Sequence, residues 1–270
     1  METLATPKAT QNFLKKYDLK AKYSLGQNFL VNQLVLNKII NLSRIEPGDE
    51  VIEVGPGIGT LTRALLDAGA KVIAIERDSR LVEVLNETLP EVEVLEGDAL
   101  KIIPEGKMLI SNLPYNIAAP LMITYFQQNK NLDSEIVMVQ KEIADRILAK
   151  PNTKNYGAFT VKLAFYAKSV GSFGVSPDCF MPAPHVDSTV IKLDRIGDAP
   201  IEYCDLVDIC FAHRRKTIEN NLKLADVYDK YKEAFTNCNI DMSLRAESLT
   251  PHQFFEIASQ IPLAHIQFCS

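Results

Sequence analysis

A chain of 270 residues, 47% hydrophobic and 23% charged, has the composition of an ordinary globular protein and the length for one large domain plus a small one. A net charge of −5 argues against a surface coated in basic residues, and METLATPKATQNFLKKYDLK at the N-terminus lacks the apolar stretch of a signal peptide. No apolar run approaches the ~18 residues that span a bilayer, and five cysteines without CxxC spacing argue against a zinc or disulfide framework, so a cytoplasmic protein is expected.

In chain order, the first 22 residues carry Lys8, Lys15, Lys16, Lys20 and Lys22 against Glu2 and Asp18. QNFLVNQLVLNKII then reads as the start of a helix with a core stripe. From residue 50 to about 195, DEVIEVG, AKVIAIE, VEVLEGD, KMLISN and SEIVMVQ are short apolar runs, each suited to a strand buried on both faces. Between the first two, GTLTRALLDAG places Leu61, Ala64, Leu65 and Ala68 on one helical face and Gly69 as the stop. After the second comes DSRLVEVLNETL, also amphipathic. The β-α alternation predicts a Rossmann-like, doubly wound and mostly parallel sheet. FGVSPDCFMPAPHVDSTVIKLDR has two strand-like runs and no helical pattern between them, which predicts an antiparallel hairpin at the sheet edge. RIGDAP, residues 195–200, reads as a linker, giving domains at 1–195 and 196–270. Beyond it the chain reads as helical, with a second basic cluster at His213-Arg214-Arg215-Lys216 and a last helix opened by Thr250, Pro251 and Gln253. Each basic cluster is either a solvated face or a contact for a polyanion.

The first strand ends in Glu53-Val-Gly55-Pro-Gly57-Ile-Gly59, which is ExGxGxG and not the GxGxxG of dinucleotide dehydrogenases. This is the spacing of methyltransferases that bind S-adenosylmethionine. Gly55 and Gly57 would let the backbone approach the methionine and ribose parts without a Cβ in the way. Glu76, at the second strand end, is placed to accept both ribose hydroxyls, and Asp98, at the third, to accept from the adenine amino group. Taken singly, these are a tight turn, a surface carboxylate and a helix cap. In succession at three strand ends they point to one cofactor.

The fourth strand ends in Asn112-Leu113-Pro114-Tyr115, which resembles the (Asn/Asp/Ser)-(Pro/Leu/Ile)-Pro-(Tyr/Phe) class found where an exocyclic amino nitrogen is methylated. An adenine N6 lone pair is delocalised into the ring. The Asn112 side-chain carbonyl and the Leu113 backbone carbonyl, held against its N–H, would favour a pyramidal nitrogen with the lone pair free for attack. Pro114 stiffens the turn, and Tyr115 offers a face to the base. The alternative is a strand-end turn with an exposed tyrosine.

LGQNFL (25–30), VIEVGPGIGTLT (51–62), NLPYNIAAPL (112–121), VQKEIADRI (139–147), CFMPAPHVDSTV (179–190), RRKTIENNL (214–222) and RAESL (245–249) together resemble the ribosomal RNA adenine dimethyltransferases, and within them the bacterial small-subunit branch. The family pattern usually has phenylalanine where this chain has Leu25. The resemblance implies that Asn28 and Leu30 close over S-adenosylmethionine beside Gly55, Glu76, Asp98 and Asn112, with no metal. It implies that Phe180 packs against a flipped adenine opposite Tyr115, whereas the residue alone reads more readily as core or hairpin packing. It further implies four methyl groups placed on N6 of two adjacent adenosines, in a hairpin loop near the 3′ end of 16S rRNA within an immature small subunit. The protein would act as a monomer, away from membranes, with Lys22, Arg214, Arg215 and Lys216 on RNA phosphates. Competing readings are the large-subunit dimethylases of antibiotic resistance, a non-catalytic assembly factor, and a nicotinamide dehydrogenase. The glycine spacing and the lack of an obvious catalytic histidine disfavour the last.

Overall fold

The structure is a computed structural model that describes residues 3–22 and 26–261, apart from the side chain of Ile201. Leu25 and Cys269 lie outside the described residues. The chain divides into two compact units: Met1–Ala144 with Ala167–Arg195, and Asp145–Tyr166 with Ile196–Ser270.

In the first unit, helix α1 (Pro7–Lys16) starts at Thr6, whose hydroxyl caps Ala9 N. A two-residue strand β1 (Phe29–Leu30) precedes α2 (Gln33–Ser43), capped by Asn32 Oδ1 on Leu34 N and Val35 N. The alternation follows as β2 (Glu50–Val54), α3 (Thr60–Asp67), β3 (Lys71–Glu76), α4 (Ser79–Thr88), β4 (Glu93–Glu96), β5 (Met108–Asn112), α5 (Ala118–Gln128) and β6 (Ser134–Gln140). Helix α6 (Lys141–Ile147) leads out of this unit, and α7 (Ala158–Leu163) lies in the second. The chain returns with β7 (Ala167–Val175), a two-residue β8 (Phe180–Met181) and β9 (Ser188–Arg195).

The main sheet has the order β4-β3-β2-β5-β6-β9-β7. Pairings among β2 to β6 are parallel, while β9 runs antiparallel to β6 and to β7. The apolar runs make this possible: Val51, Ile52, Leu109, Ile110, Val137 and Val139 are each at most 1% exposed, as strands covered on both faces require. The edge hairpin is present, but its outer strand begins at Ala167, six residues before the FGV run. Residues 168–174 are largely exposed, so apolar content did not mark them. A second, two-stranded sheet pairs β1 with β8, Leu30 opposite Phe180. Phe13, Leu14 and Tyr17 of the N-terminal arm pack on a cluster of Leu19, Phe29, Ile58, Leu81 and Val84.

The second unit is helical: α7 joins α8 (Ile201–Phe211), α9 (Ile218–Leu224), α10 (Tyr228–Asn237) and α11 (Pro251–Ser259). Helix α11 has the expected capping box between Thr250 and Gln253. The excursion 145–166 was not anticipated as part of this unit, and its packing explains it. Tyr156 donates to Leu249 O at 2.6 Å and Tyr166 to Ala199 O at 3.1 Å, both rings fully buried. RIGDAP is accordingly no free linker, since Ile196 N also donates to Tyr166 O at 2.8 Å.

Candidate active site

Strands β2, β3, β4 and β5 are parallel neighbours, so their carboxyl ends open on one crevice, the place where open α/β sheets bind ligands. Gly55, Gly57, Glu76, Asp98 and Asn112 through Tyr115 line one cavity there, joined by Asn28 and Leu30. Ten of the sequence-predicted residues are thus brought together.

The glycine loop is built to be bare. Gly55 and Gly57 sit at φ +69° and +60°, where a side chain strains the backbone. A Cβ on Gly57 would come within 3.2 Å of the Phe29 ring, whereas one on Gly55 would meet Pro114 Cγ at 3.5 Å, an ordinary contact. Glu76 is 7% exposed and accepts three backbone N–H groups: Arg77 at 2.8 Å and Asp78 at 2.9 Å on Oε1, Gly57 at 3.3 Å on Oε2. Burial lifts its carboxyl above the ordinary range and these donors oppose the lift. A carboxylate has about four acceptor sites, so three backbone bonds leave room for a further donor from the cavity. Asp98 accepts from Leu100 N at 3.0 Å through Oδ1, a local turn that anchors it on the wall. A bare backbone cradle, a braced buried carboxylate and a second acid on the wall fit the methionine, ribose and adenine parts of S-adenosylmethionine.

Asn112 closes β5. Its Nδ2 donates to the Asn28 backbone carbonyl at 3.1 Å, which leaves Oδ1 as the amide atom not engaged by that bond. Leu113 N donates to Met138 O at 3.1 Å and Ile117 N to Pro114 O at 3.1 Å, so the bend is hydrogen-bonded on both sides of the proline. Tyr115, half-buried, shares a 2.7 Å hydrogen bond with Ser188 Oγ, and burial raises its phenol.

Other residues fall elsewhere. Phe180 is 4% exposed and packs in the core cluster with Leu30, its pairing partner on β1, and it does not line the cavity. Lys22 pairs with Asp78 at 3.1 Å. Arg214 is bound within the helical unit, by Nε to Glu247 at 2.9 Å and through Nη2 to the carbonyls of Thr153 and Lys154. Arg215 and Lys216 are exposed. Among the described residues no group of three or more His, Cys, Asp or Glu could hold a metal ion, and no helix is long and apolar enough to cross a membrane.

Two cavity residues had no role in the sequence reading. Glu53 is the first letter of ExGxGxG, yet it is 2% exposed with Oε2 lacking a partner among the described residues, and burial pushes its carboxyl up to about 8. Gln27 lines the same wall. The motif letter was the available signal for Glu53; nothing in periodicity marks Gln27.

The model of the family "Ribosomal RNA adenine dimethylase" matches residues 18–262. The protein named ribosomal RNA small subunit methyltransferase A of Alkaliphilus oremlandii is 35% identical, covering 97% of this chain and 99% of its own. The protein of that name from Clostridium botulinum is 38% identical over 93% of this chain and 98% of its own. Among solved structures, a dimethyladenosine transferase from Plasmodium falciparum superposes with a TM-score of 0.71 at 30% identity, covering 85% of this chain and 95% of that one. The 23S rRNA methyltransferase ErmE shares the fold, with a TM-score of 0.62 at 24% identity over 87% of this chain and 100% of that one. The crevice, its braced carboxylate and the carboxamide at the β5 end therefore sit in a chain that belongs to the ribosomal RNA adenine dimethylase family, S-adenosylmethionine-dependent methyltransferases with a Rossmann-like fold.

Proposed function

We propose that this enzyme dimethylates N6 of two adjacent adenosines in a hairpin loop near the 3′ end of 16S rRNA, within an immature small subunit, acting as a cytoplasmic monomer. The observation that carries the reading is the Asn112–Asn28 hydrogen bond: it occupies the donor end of the carboxamide, so the acceptor end remains to meet an amino N–H. Bound S-adenosylmethionine would supply an electrophilic methyl on a sulfonium. Glu76 would accept from a ribose hydroxyl at its remaining site, Asp98 would hold the adenine amino group, and the Gly55–Gly57 backbone the methionine end, under Asn28 and Leu30.

The chain's own part is positioning. Asn112 Oδ1 and the Leu113 carbonyl would accept from the substrate amine, and Pro114 keeps their bend stiff. Tyr115 would take one face of an unpaired adenine; Phe180, buried in the core cluster and outside the cavity, leaves the other face to be covered by a different group. No strong base is required, because the amine becomes acidic only after attack, so orientation provides most of the acceleration. Arg215 and Lys216, exposed, would contact rRNA phosphates. Relatives named for the small subunit, at 35–38% identity, support this branch over the large-subunit one. Mass mapping of small-subunit rRNA after incubation with wild type and Asn112→Ala tests the reading: wild type is expected to leave two dimethyladenosines and the variant none. Full dimethylation by the variant, or methyl groups only in large-subunit RNA, would reject it.

A further inference from the structure

Asp78 precedes α4 as its N-cap, a position where aspartate normally turns its carboxylate onto the first free N–H groups of the helix. Here the side chain makes no capping bond. It is 1% exposed and turned to the N-terminal arm instead. Oδ1 accepts from Lys22 Nζ at 3.1 Å and Oδ2 from Gln27 Nε2 at 3.2 Å, while Arg80 donates to both oxygens at 3.2 and 3.0 Å. These donors hold the Asp78 carboxyl well below the usual carboxylate range, Arg80 first among them. Gln27 in turn accepts from Lys22 N at 2.8 Å, so its carboxamide is fixed at both ends. The next residue, Asn28, carries the carbonyl that takes Asn112 Nδ2. On its other side Asp78 N donates to Glu76 Oε1.

We propose that Asp78 is a positioning residue that clamps Lys22 and Gln27 to the end of β3 and, through the Asn28 carbonyl, sets the Asn112 carboxamide for methyl transfer. A surface ion pair alone would contribute little, since the Lys22 and Arg80 ends of these pairs are solvated. What the clamp holds is a main-chain carbonyl two bonds from the reacting group, where small displacements cost rate out of proportion to stability. The inference rests on Asn112 acting as acceptor, as proposed above.

The test compares Gln27→Glu, Gln27→Ala, Asp78→Asn and the double variant Gln27→Glu with Asp78→Asn, using the full chain, immature small subunits and S-adenosylmethionine. Gln27→Glu sets carboxylate against carboxylate and opens the clamp; adding Asp78→Asn restores a donor–acceptor pair of reversed polarity. The expected result is a kcat loss of about tenfold or more for Gln27→Glu, larger than its loss of cofactor affinity by calorimetry, with recovery of most of that loss in the double variant. Gln27→Ala, which removes both side-chain bonds without adding charge, should lie between, with a melting temperature near wild type. Wild-type kcat in folded Gln27→Glu, or no recovery in the double variant, would overturn the clamp while leaving the role of Asn112 standing. Full activity of Asn112→Ala, run alongside, would instead remove the reading on which the clamp depends.

Discussion

Asn112 Nδ2 and the Asn28 carbonyl oxygen lie 3.1 Å apart, and this bond decides which end of the carboxamide remains for the cavity. In Asn112→Asp an ionised carboxylate would face that carbonyl, acceptor against acceptor, and the side chain would turn away. Only the protonated acid can donate to Asn28 and still offer an oxygen. We expect Asn112→Asp to be at least about tenfold slower than wild type near neutral pH and to gain relative activity as pH falls. A flat ratio of variant to wild-type kcat between pH 8 and pH 6 would show that the donated bond is unimportant.

The two glycines of the cradle should not be equivalent. Each sits at positive φ, so alanine at either costs ~1–2 kcal/mol in backbone strain. Gly55→Ala adds only an ordinary contact with Pro114, whereas Gly57→Ala drives a methyl to 3.2 Å from the Phe29 ring. Phe29 follows Asn28, so its displacement also disturbs the carbonyl that orients Asn112. Gly57→Ala should therefore lower both melting temperature and cofactor affinity more than Gly55→Ala. Calorimetry and thermal melting on the two variants decide the order.

These pairs also show what was legible in the sequence. Residues that line the cavity from strand ends could be read, because a strand's end is marked by where an apolar run stops and the spacing between ends follows from the alternation. Gly55, Glu76, Asp98 and Asn112 all reached the cavity for that reason. Contacts made through β1 could not be read. Two residues, Phe29 and Leu30, carry no periodicity, and their pairing with Met181 and Phe180 joins segments about 150 residues apart. The same limit hid residues 145–166: AFTVKL is too short to reveal which unit buries Phe159, Val161 and Leu163. Asp78 was invisible for a different reason, since an aspartate before a helix reads as its cap.

Glu53 should make stability fall with rising pH. Its carboxyl is raised from the ordinary 4.5 to about 8 by burial, so the folded protein holds the proton more tightly than the unfolded chain. Between these values the folded state binds more protons, and stability decreases as pH rises through the interval. Glu53→Gln mimics the neutral acid and removes that dependence. Its melting temperature should gain on wild type steadily from pH 5 to pH 8.5. A constant difference across that range would mean that Glu53 is ionised throughout.

The Tyr115 hydroxyl and its ring can be separated. Tyr115→Phe keeps the aromatic face but leaves Ser188 Oγ, on a residue 1% exposed, without its 2.7 Å partner. We expect a stability loss of about 1 kcal/mol and a small change in kcat. Tyr115→Ala removes the stacking face, worth ~1–3 kcal/mol, and should raise KM for RNA and lower kcat together. Equal kinetic losses in the two variants would assign the function to the hydroxyl.

Arg214 and Arg215 are adjacent but should fail in different ways. Arg214 staples Glu247 and the carbonyls of Thr153 and Lys154 within the helical unit, so Arg214→Ala should lower stability, by about 1 kcal/mol given its exposure. Arg215 is exposed, and Arg215→Ala should leave melting unchanged. If Arg215 meets a phosphate, the variant binds rRNA more weakly at every sequence and its log affinity falls less steeply with log salt, by about one unit of slope. Titrating both variants with small-subunit RNA at several salt concentrations separates the two effects. An unchanged salt slope for Arg215→Ala would return that arginine to a solvated face, and a slope change confined to Arg214→Ala would move the phosphate contact to the stapled residue.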